Sequence, residues 1–159
     1  MNLSCIIVNY HNSSPLKNCL DSIYRTLQKI SFEVIVVDNS QSDPGIASLK
    51  EFYPQTRFIQ NTVNVGFAKA NNQAVKFAQG ETLLFLNPDT ILTDQAIEKM
   101  VAYLKSNPDI GALGPKVFNS DGSLQYSCRR FPTLMTGFFN RYSLLSRWFP
   151  NNQYTVQYL

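Results

Sequence analysis

Two aspartates, each closing a short apolar run, are the first residues in this chain with obvious chemical capacity. Asp38 ends the run at 32–37, in Asp38-Asn39-Ser40, and Asp89 follows the run at 82–86, in Asn87-Pro88-Asp89. A carboxylate in such a place can accept a hydrogen bond from a ribose hydroxyl or from the N–H of a base. It is also a hard oxygen ligand, suited to Mg²⁺ or Mn²⁺, and such an ion can bridge a diphosphate. A third polar turn follows the first apolar run, where Asn9-Tyr10 leads into residues 11–14. The face of Tyr10 offers a stacking platform for a base. Each of these residues also has an ordinary structural alternative, as a turn, a cap or the edge of a core. Only their convergence on one edge of one sheet would favour a binding site.

Two common nucleotide sites are excluded by composition at that first turn. A dinucleotide fold needs glycines there, so that backbone can approach a pyrophosphate, and the turn reads Asn-Tyr-His-Asn-Ser-Ser. No GxxxxGK[ST] phosphate loop occurs anywhere in the chain.

The elements that would position these residues alternate along the chain. Residues 3–10 form a β-rich apolar run. Ser14-Pro15 predicts a helix start, and Leu16, Leu20, Ile23 and Leu27 continue at helical spacing. The continuous run 32–37 predicts a strand buried on both faces. A helix over 44–53, a strand over 57–60 and a helix over 66–79 closed by Gly80 come next. Another buried strand over 82–86 precedes a helix capped by Thr93 and running to Lys105, with Asp94 favourable in its first turn. A strand over 110–118 and a hairpin turn at Ser120-Asp121-Gly122 complete the pattern. Strand and helix thus alternate four times, which predicts an α/β fold, a mostly parallel sheet flanked by helices. Right-handed crossovers then align the strand C-termini on one edge, where such folds bind ligands.

The 159 residues, 44% hydrophobic and 16% charged, suit one domain with a real core. No apolar stretch has membrane-spanning length and the N-terminus lacks a basic leader, so a cytoplasmic location is expected. Cys5, Cys19 and Cys128 are widely spaced without a CxxC pair, which points to reduced thiols rather than zinc or disulfides. Up to Pro115 nine basic residues face ten acidic ones, whereas from Lys116 onward five basic residues accompany only Asp121. In that basic tail Leu134, Phe138, Tyr142, Leu145, Trp148 and Phe149 fall near helical spacing, interleaved with Arg141 and Arg147. Such a segment suits an anionic membrane surface, a further part of a larger protein or a second copy of this chain. Nucleic acid is not expected, since no basic stripe continues into the α/β body.

The succession SCIIVNYHNSS, EVIVVDNSQSD, NVGFAKANNQAV and LLFLNPDT resembles the N-terminal half of family 2 glycosyltransferases, in their order. The likeness is to the bacterial branch that includes rhamnosyltransferases, and GPKVFNSDGSLQYSCRRFPT resembles a stretch that follows there. It covers residues 3 to about 133 and implies a GT-A, Rossmann-like fold, truncated on its C-terminal side. The resemblance implies nucleotide contacts from Val8, Asn9, Tyr10, Asp38, Asn39, Asn64, Gly66, Asn71 and Asn87, with Asn72 in the same segment as Asn71. Asn71 stands where many members carry Arg, and Lys69 lies nearby. Asn87-Pro88-Asp89 stands in place of Asp-x-Asp, which leaves Asp89 as the one metal ligand and a weakly held Mg²⁺ or Mn²⁺ as the cofactor. The implied activity is inverting sugar transfer from a nucleotide-diphosphate donor to a polysaccharide or lipid-linked acceptor in cell-surface glycan synthesis. The Asn-Pro-Asp form favours a dTDP-sugar, with a UDP-sugar as the other choice. Residues 1–133 would then bind the nucleotide sugar. Residues 134–159 would lead into an acceptor-binding half, and a homo-oligomer could form through 134–149. The family's catalytic base lies in a later acidic motif, and after Asp109 this chain carries only Asp121, so no catalytic base is expected within it. The competing reading is a module that binds a nucleotide sugar or a protein without turnover.

Overall fold

The computed structural model describes residues 1–93, 95–125 and 147–148, which fall in two compact units, Met1–Leu113 and Gly114–Leu159. In the first, β1 (Leu3–Asn9), α1 (Ser13–Thr26), β2 (Phe32–Asp38), α2 (Pro44–Phe52), β3 (Arg57–Gln60), α3 (Phe67–Val75), β4 (Thr82–Leu86) and α4 (Ala96–Ser106) alternate as the periodicity predicts. The four strands form one parallel sheet in the order β3-β2-β1-β4. The chain moves from β1 through β2 to β3 on one side, then crosses to place β4 on the other side of β1. The gap between β1 and β4 is therefore the topological switch point, where the loops diverge and leave a crevice outside the strand C-termini.

Alternation along the strands builds two cores. Leu3, Cys5 and Ile7 of β1 join Val34 and Val36 of β2 against Leu16, Leu20 and Ile23 of α1, with α2 and α4 on the same cluster. Ile6, Val8, Ile35 and Val37 point the other way, onto Ala70 and Ala74 of α3. Those alanines sit one turn apart and are fully buried, so the helix packs close to the sheet. β4 differs from the central strands: Leu84 and Leu86 pack in the first core, while Leu83 and Phe85 are exposed.

Three expected element ends are corrected. α1 begins at Ser13 after Asn12, one residue before the predicted Ser14 cap, and Asn12 makes no side-chain capping bond. Pro15 is tolerated because the first N–H groups of a helix lack intrahelical partners anyway. α3 stops at Val75 instead of reaching Gln79; Phe77 N and Ala78 N bond to carbonyls three residues back, a tighter turn. Gly80 is therefore no helix cap. It donates its N–H to Ser4 Oγ, and a Cβ there would collide with the backbone of Leu3 and Ser4. α4 starts at Ala96 after Gln95, which takes a left-handed conformation (φ 61°), and the expected role of Asp94 falls outside the described residues.

In the second unit the strand expected over 110–118 shrinks to β5 (Val117–Phe118), which pairs antiparallel with β6 (Leu124–Gln125). Gly111, Gly114 and Pro115 weaken the preceding stretch as a ladder. The predicted turn is present, with Gly122 at φ 82°. The amphipathic segment expected over 134–149 lies outside the described residues, apart from Arg147 and Trp148.

Candidate functional site: a crevice at the strand C-termini

The floor of the crevice forms where β1 and β2 end in register, Asn9 opposite Asp38. Asn9 Nδ2 donates to Asp38 Oδ1 at 3.0 Å, and the Ser40 backbone N–H donates to the same oxygen at 3.1 Å. Asp38 is 0% exposed, and both Asp38 Oδ2 and Asn9 Oδ1 are buried without a partner. A buried acceptor left open is uncommon and marks a place where a donor belongs. The turns above are tied together as well: Asn39 N–H donates to Asn9 O, and His11 N–H donates to Ser40 Oγ at 2.7 Å. His11 adopts φ 51°, a left-handed conformation that costs a non-glycine residue about 1–2 kcal/mol. Beside it Tyr10 is 55% exposed, with its ring edge-to-face against the His11 ring at 4.6 Å.

Across the switch point, β4 ends in a β-turn in which Thr90 N–H donates to Asn87 O at 3.2 Å. Pro88 supplies the fixed φ that this turn needs. Both Asn87 and Asp89 are exposed. The turn rests near Cys19 of α1, whose Sγ lies 3.8 Å from Asn87 O. Burial pushes the Cys19 thiol up to about 12, and the negative charge of Asp89 adds to it. Burial likewise pushes Cys5 up to about 12, with the Cys19 and Glu33 charges contributing. Both thiols are free and buried, and Cys128 lies outside the described residues.

The third wall is the entry to α3. Gly66 takes φ 84° and ψ 161°, a conformation essentially reserved for glycine, and its N–H is capped by Asn64 Oδ1 at 2.9 Å. A Cβ there would meet nothing within 4 Å, so the backbone angle and not space demands glycine. Asn39, 3% exposed, reaches this turn with Nδ2 3.5 Å from Gly66 O.

The nine residues named for nucleotide contact thus separate. Asn9, Asp38 and Asn39 form the floor, Tyr10 stands beside it, Asn64 and Gly66 form a side turn, and Asn87 lies across the switch point with Asp89. Val8 does not present its side chain to the crevice, because it faces the α3 core. Asn71 is 8% exposed and spends its Nδ2 on Phe67 O at 3.0 Å within its own helix, whereas Lys69 and Asn72 are exposed. Sequence inspection missed Asn61 and Gln73, which join Asn39 through side-chain amides. The available signal was position: Asn61 directly follows β3, as Asn39 follows β2.

Among the described residues no three His, Cys, Asp or Glu side chains gather into a metal-binding group. A caged ion is therefore a poor fit for this part of the chain. Asp89 alone fits the other mode of Mg²⁺-type binding, in which one carboxylate holds an ion that keeps waters and phosphate oxygens as its remaining ligands.

A doubly wound α/β domain with polar turns converging outside a switch point belongs to the class that binds ligands in that crevice. The chain belongs to the Glycosyl transferase family 2, whose family model matches residues 4–157. It is 31% identical over 119 residues to a poly(ribitol-phosphate) beta-glucosyltransferase of Bacillus spizizenii, covering 72% of this chain and 19% of that protein. It is 26% identical over 169 aligned positions to an N-acetylglucosaminyl-diphospho-decaprenol L-rhamnosyltransferase of Mycobacterium tuberculosis, covering 98% of this chain and 53% of the relative. Among solved structures it is similar to S. aureus TarS 1-349 in complex with UDP-GlcNAc, at 26% identity and a TM-score of 0.61. That match covers 68% of this chain and 32% of the other. The chain thus spans 53% or less of the length of these relatives.

Proposed function

We propose that this chain is the donor-binding portion of a family 2 glycosyltransferase that moves a sugar from a nucleoside diphosphate to a cell-surface glycan or lipid-linked acceptor. The observation that carries it is the open acceptor of Asp38, fully buried at the end of β2 in a crevice flanked by an exposed aromatic and an exposed aspartate. In this reading Tyr10 stacks on the base, and a base N–H or ribose hydroxyl, directly or through one water, supplies the donor that Asp38 Oδ2 lacks. Asn9 and Asn39 shape the floor, Asn64 and Gly66 form the side turn, and Val8 contributes backbone alone. Asn71, held to its own helix, carries no positive charge towards the diphosphate. Asn87 and Asp89 lie at the diphosphate end, where Asp89 would hold a Mg²⁺ or Mn²⁺ ion. When bound, that ion would supply charge stabilisation to the leaving diphosphate.

The UDP-GlcNAc bound by TarS and the rhamnosyl transfer named for the mycobacterial relative support a nucleotide-sugar donor. Between the two, we favour a dTDP-sugar on the Asn-Pro-Asp turn, with the general base outside this chain. Residues 1–133 hold the donor on this reading, and 134–159 lead towards the acceptor half, with 134–149 as the candidate surface for self-association. No described helix is long and apolar enough to cross a membrane. A site on the cytoplasmic side, at the inner membrane face, would meet both a soluble donor and a lipid-linked acceptor.

Calorimetry with dTDP, UDP and GDP, with and without Mn²⁺, tests the proposal. Binding of one diphosphate, strengthened by Mn²⁺, is the expected result. No heat from any of the three would remove the donor-binding reading for this chain.

A further inference from the structure

Beside the crevice floor, three side-chain amides join the ends of the paired strands β2 and β3 to α3. Asn61, held by its N–H to Asp38 O, donates Nδ2 to Asn39 Oδ1 at 2.9 Å and to Gln73 Oε1 at 3.0 Å. Gln73, on α3, returns a bond from Nε2 to Asn61 Oδ1 at 3.0 Å. Asn39 then directs Nδ2 towards Gly66 O, which also accepts from Ala70 N. The direction of the chain is not arbitrary. A backbone carbonyl can only accept, so Gly66 O holds the NH₂ of Asn39 on its own side and leaves Oδ1 for Asn61. The reciprocal pair with Gln73 then holds Asn61 with both its hydrogens committed. One end of this relay is the helix, the middle is the end of β2, and the other end is the glycine turn that carries Asn64.

We propose that Asn61 and Gln73 are positioning residues for the nucleotide: they fix Asn39, and through it the Asn64–Gly66 turn, at the wall of the crevice. The proposal rests on the nucleotide-binding reading above. Both are half-buried and bonded side chain to side chain, and both act through Asn39. Part-buried amide networks of this kind hold a single geometry only when every member is satisfied. The 29-residue separation of Asn9 from Asp38 and the 12-residue separation of Asn61 from Gln73 make the two systems independent in sequence, yet both meet at residues 38 and 39.

The test compares the full chain with Asn61→Ala, Asn61→Asp and Gln73→Glu. Asn61→Asp places a carboxylate oxygen against Asn39 Oδ1, whereas Gln73→Glu keeps an acceptor for Asn61 Nδ2 but turns the return bond into a contact between a carboxylate oxygen and Asn61 Oδ1. Affinity for dTDP and UDP is measured by calorimetry well below each variant's melting temperature. In parallel, the Asn64 and Gly66 amide signals are followed by ¹H–¹⁵N NMR. Expected are displaced Asn64 and Gly66 signals and about tenfold weaker nucleotide binding in Asn61→Ala and Asn61→Asp, with a smaller loss of about threefold in Gln73→Glu, which keeps one of the two bonds to Asn61. If the wild type binds and Asn61→Ala binds equally well, the positioning role is overturned and the nucleotide reading stands. Weaker binding with both amide signals unmoved also overturns it, because the turn is then not what Asn61 holds. A wild type that binds no nucleotide overturns the reading first, and this proposal with it.

Discussion

Asp38 ends β2 and Asp89 lies in the turn after β4, on the same edge of one sheet, yet the protein treats them in opposite ways. Asp38 is 0% exposed and held at one oxygen by Asn9 and by the Ser40 backbone, whereas Asp89 stands exposed in a turn. The difference follows from strand position. β2 lies inside the sheet between β1 and β3, so its end is enclosed by two neighbouring turns. β4 has one paired neighbour among the described residues, and its end stays open. A carboxylate in the first setting organises the site. In the second setting it is free to take a ligand.

The strongest challenge to that contrast is Asp38→Ala. It strands the Asn9 amide and the Ser40 N–H in a buried floor, and the expected loss is about 3 kcal/mol of folding stability together with nucleotide binding. Urea denaturation that gives the wild-type midpoint would show that Asp38 does not organise the floor. Gly66→Ala comes next. Its φ of 84° imposes strain of about 1–3 kcal/mol on any Cβ-bearing residue, so both stability and nucleotide affinity should fall. A wild-type melting temperature and affinity would mean that the turn is not fixed as described.

A finer probe uses the thiol beneath the Asp89 turn. Cys5 and Cys19 are both raised from 9.0 to about 12, so the folded state binds protons that the unfolded state releases. Their contribution is intact below pH 9 and is lost as pH rises towards 12. Melting temperature should therefore decline over that window, and less steeply in Cys19→Ala. In a Cys128→Ser background, neither thiol should react with a disulfide reagent at pH 8 until denaturant is added. Rapid labelling of the native protein would contradict the burial of both. The smallest effect on stability belongs to Asp89→Ala, at less than about 0.5 kcal/mol, as for other exposed positions. The same variant should lose the Mn²⁺ dependence of nucleotide binding. If Mn²⁺ still strengthens binding in Asp89→Ala, the ion is held elsewhere.

Much of this protein can be read from local pattern. The continuous apolar run marks β2 to within a residue, because a strand buried on both faces has no room for polar residues, and β4 is marked by its apolar residues although one of its faces is exposed. The turns after β1, β2 and β4 are equally legible, because Asn, Asp and Pro interrupt those runs abruptly. Helix ends were harder. Gly80 looks like a cap in sequence, but it is glycine because the start of β1 passes over it, and that contact spans 76 residues. The stretch ahead of β5 has the apolar content of a strand, yet its glycines and Pro115 leave Val117 and Phe118 as the paired residues of β5.

The order of elements, the parallel sheet and the edge that carries the site follow from apolar periodicity and turn residues, which act over a few neighbours. Which aspartate is enclosed and which is open, and that Val8 faces the α3 core, depend on register and helix packing. So does the fixing of Asn39 by Asn61 and Gln73. These are contacts between segments far apart in the chain, and no local pattern encodes them. The assembled sheet decides them, because only there do strand ends come into register and side-chain amides find their partners.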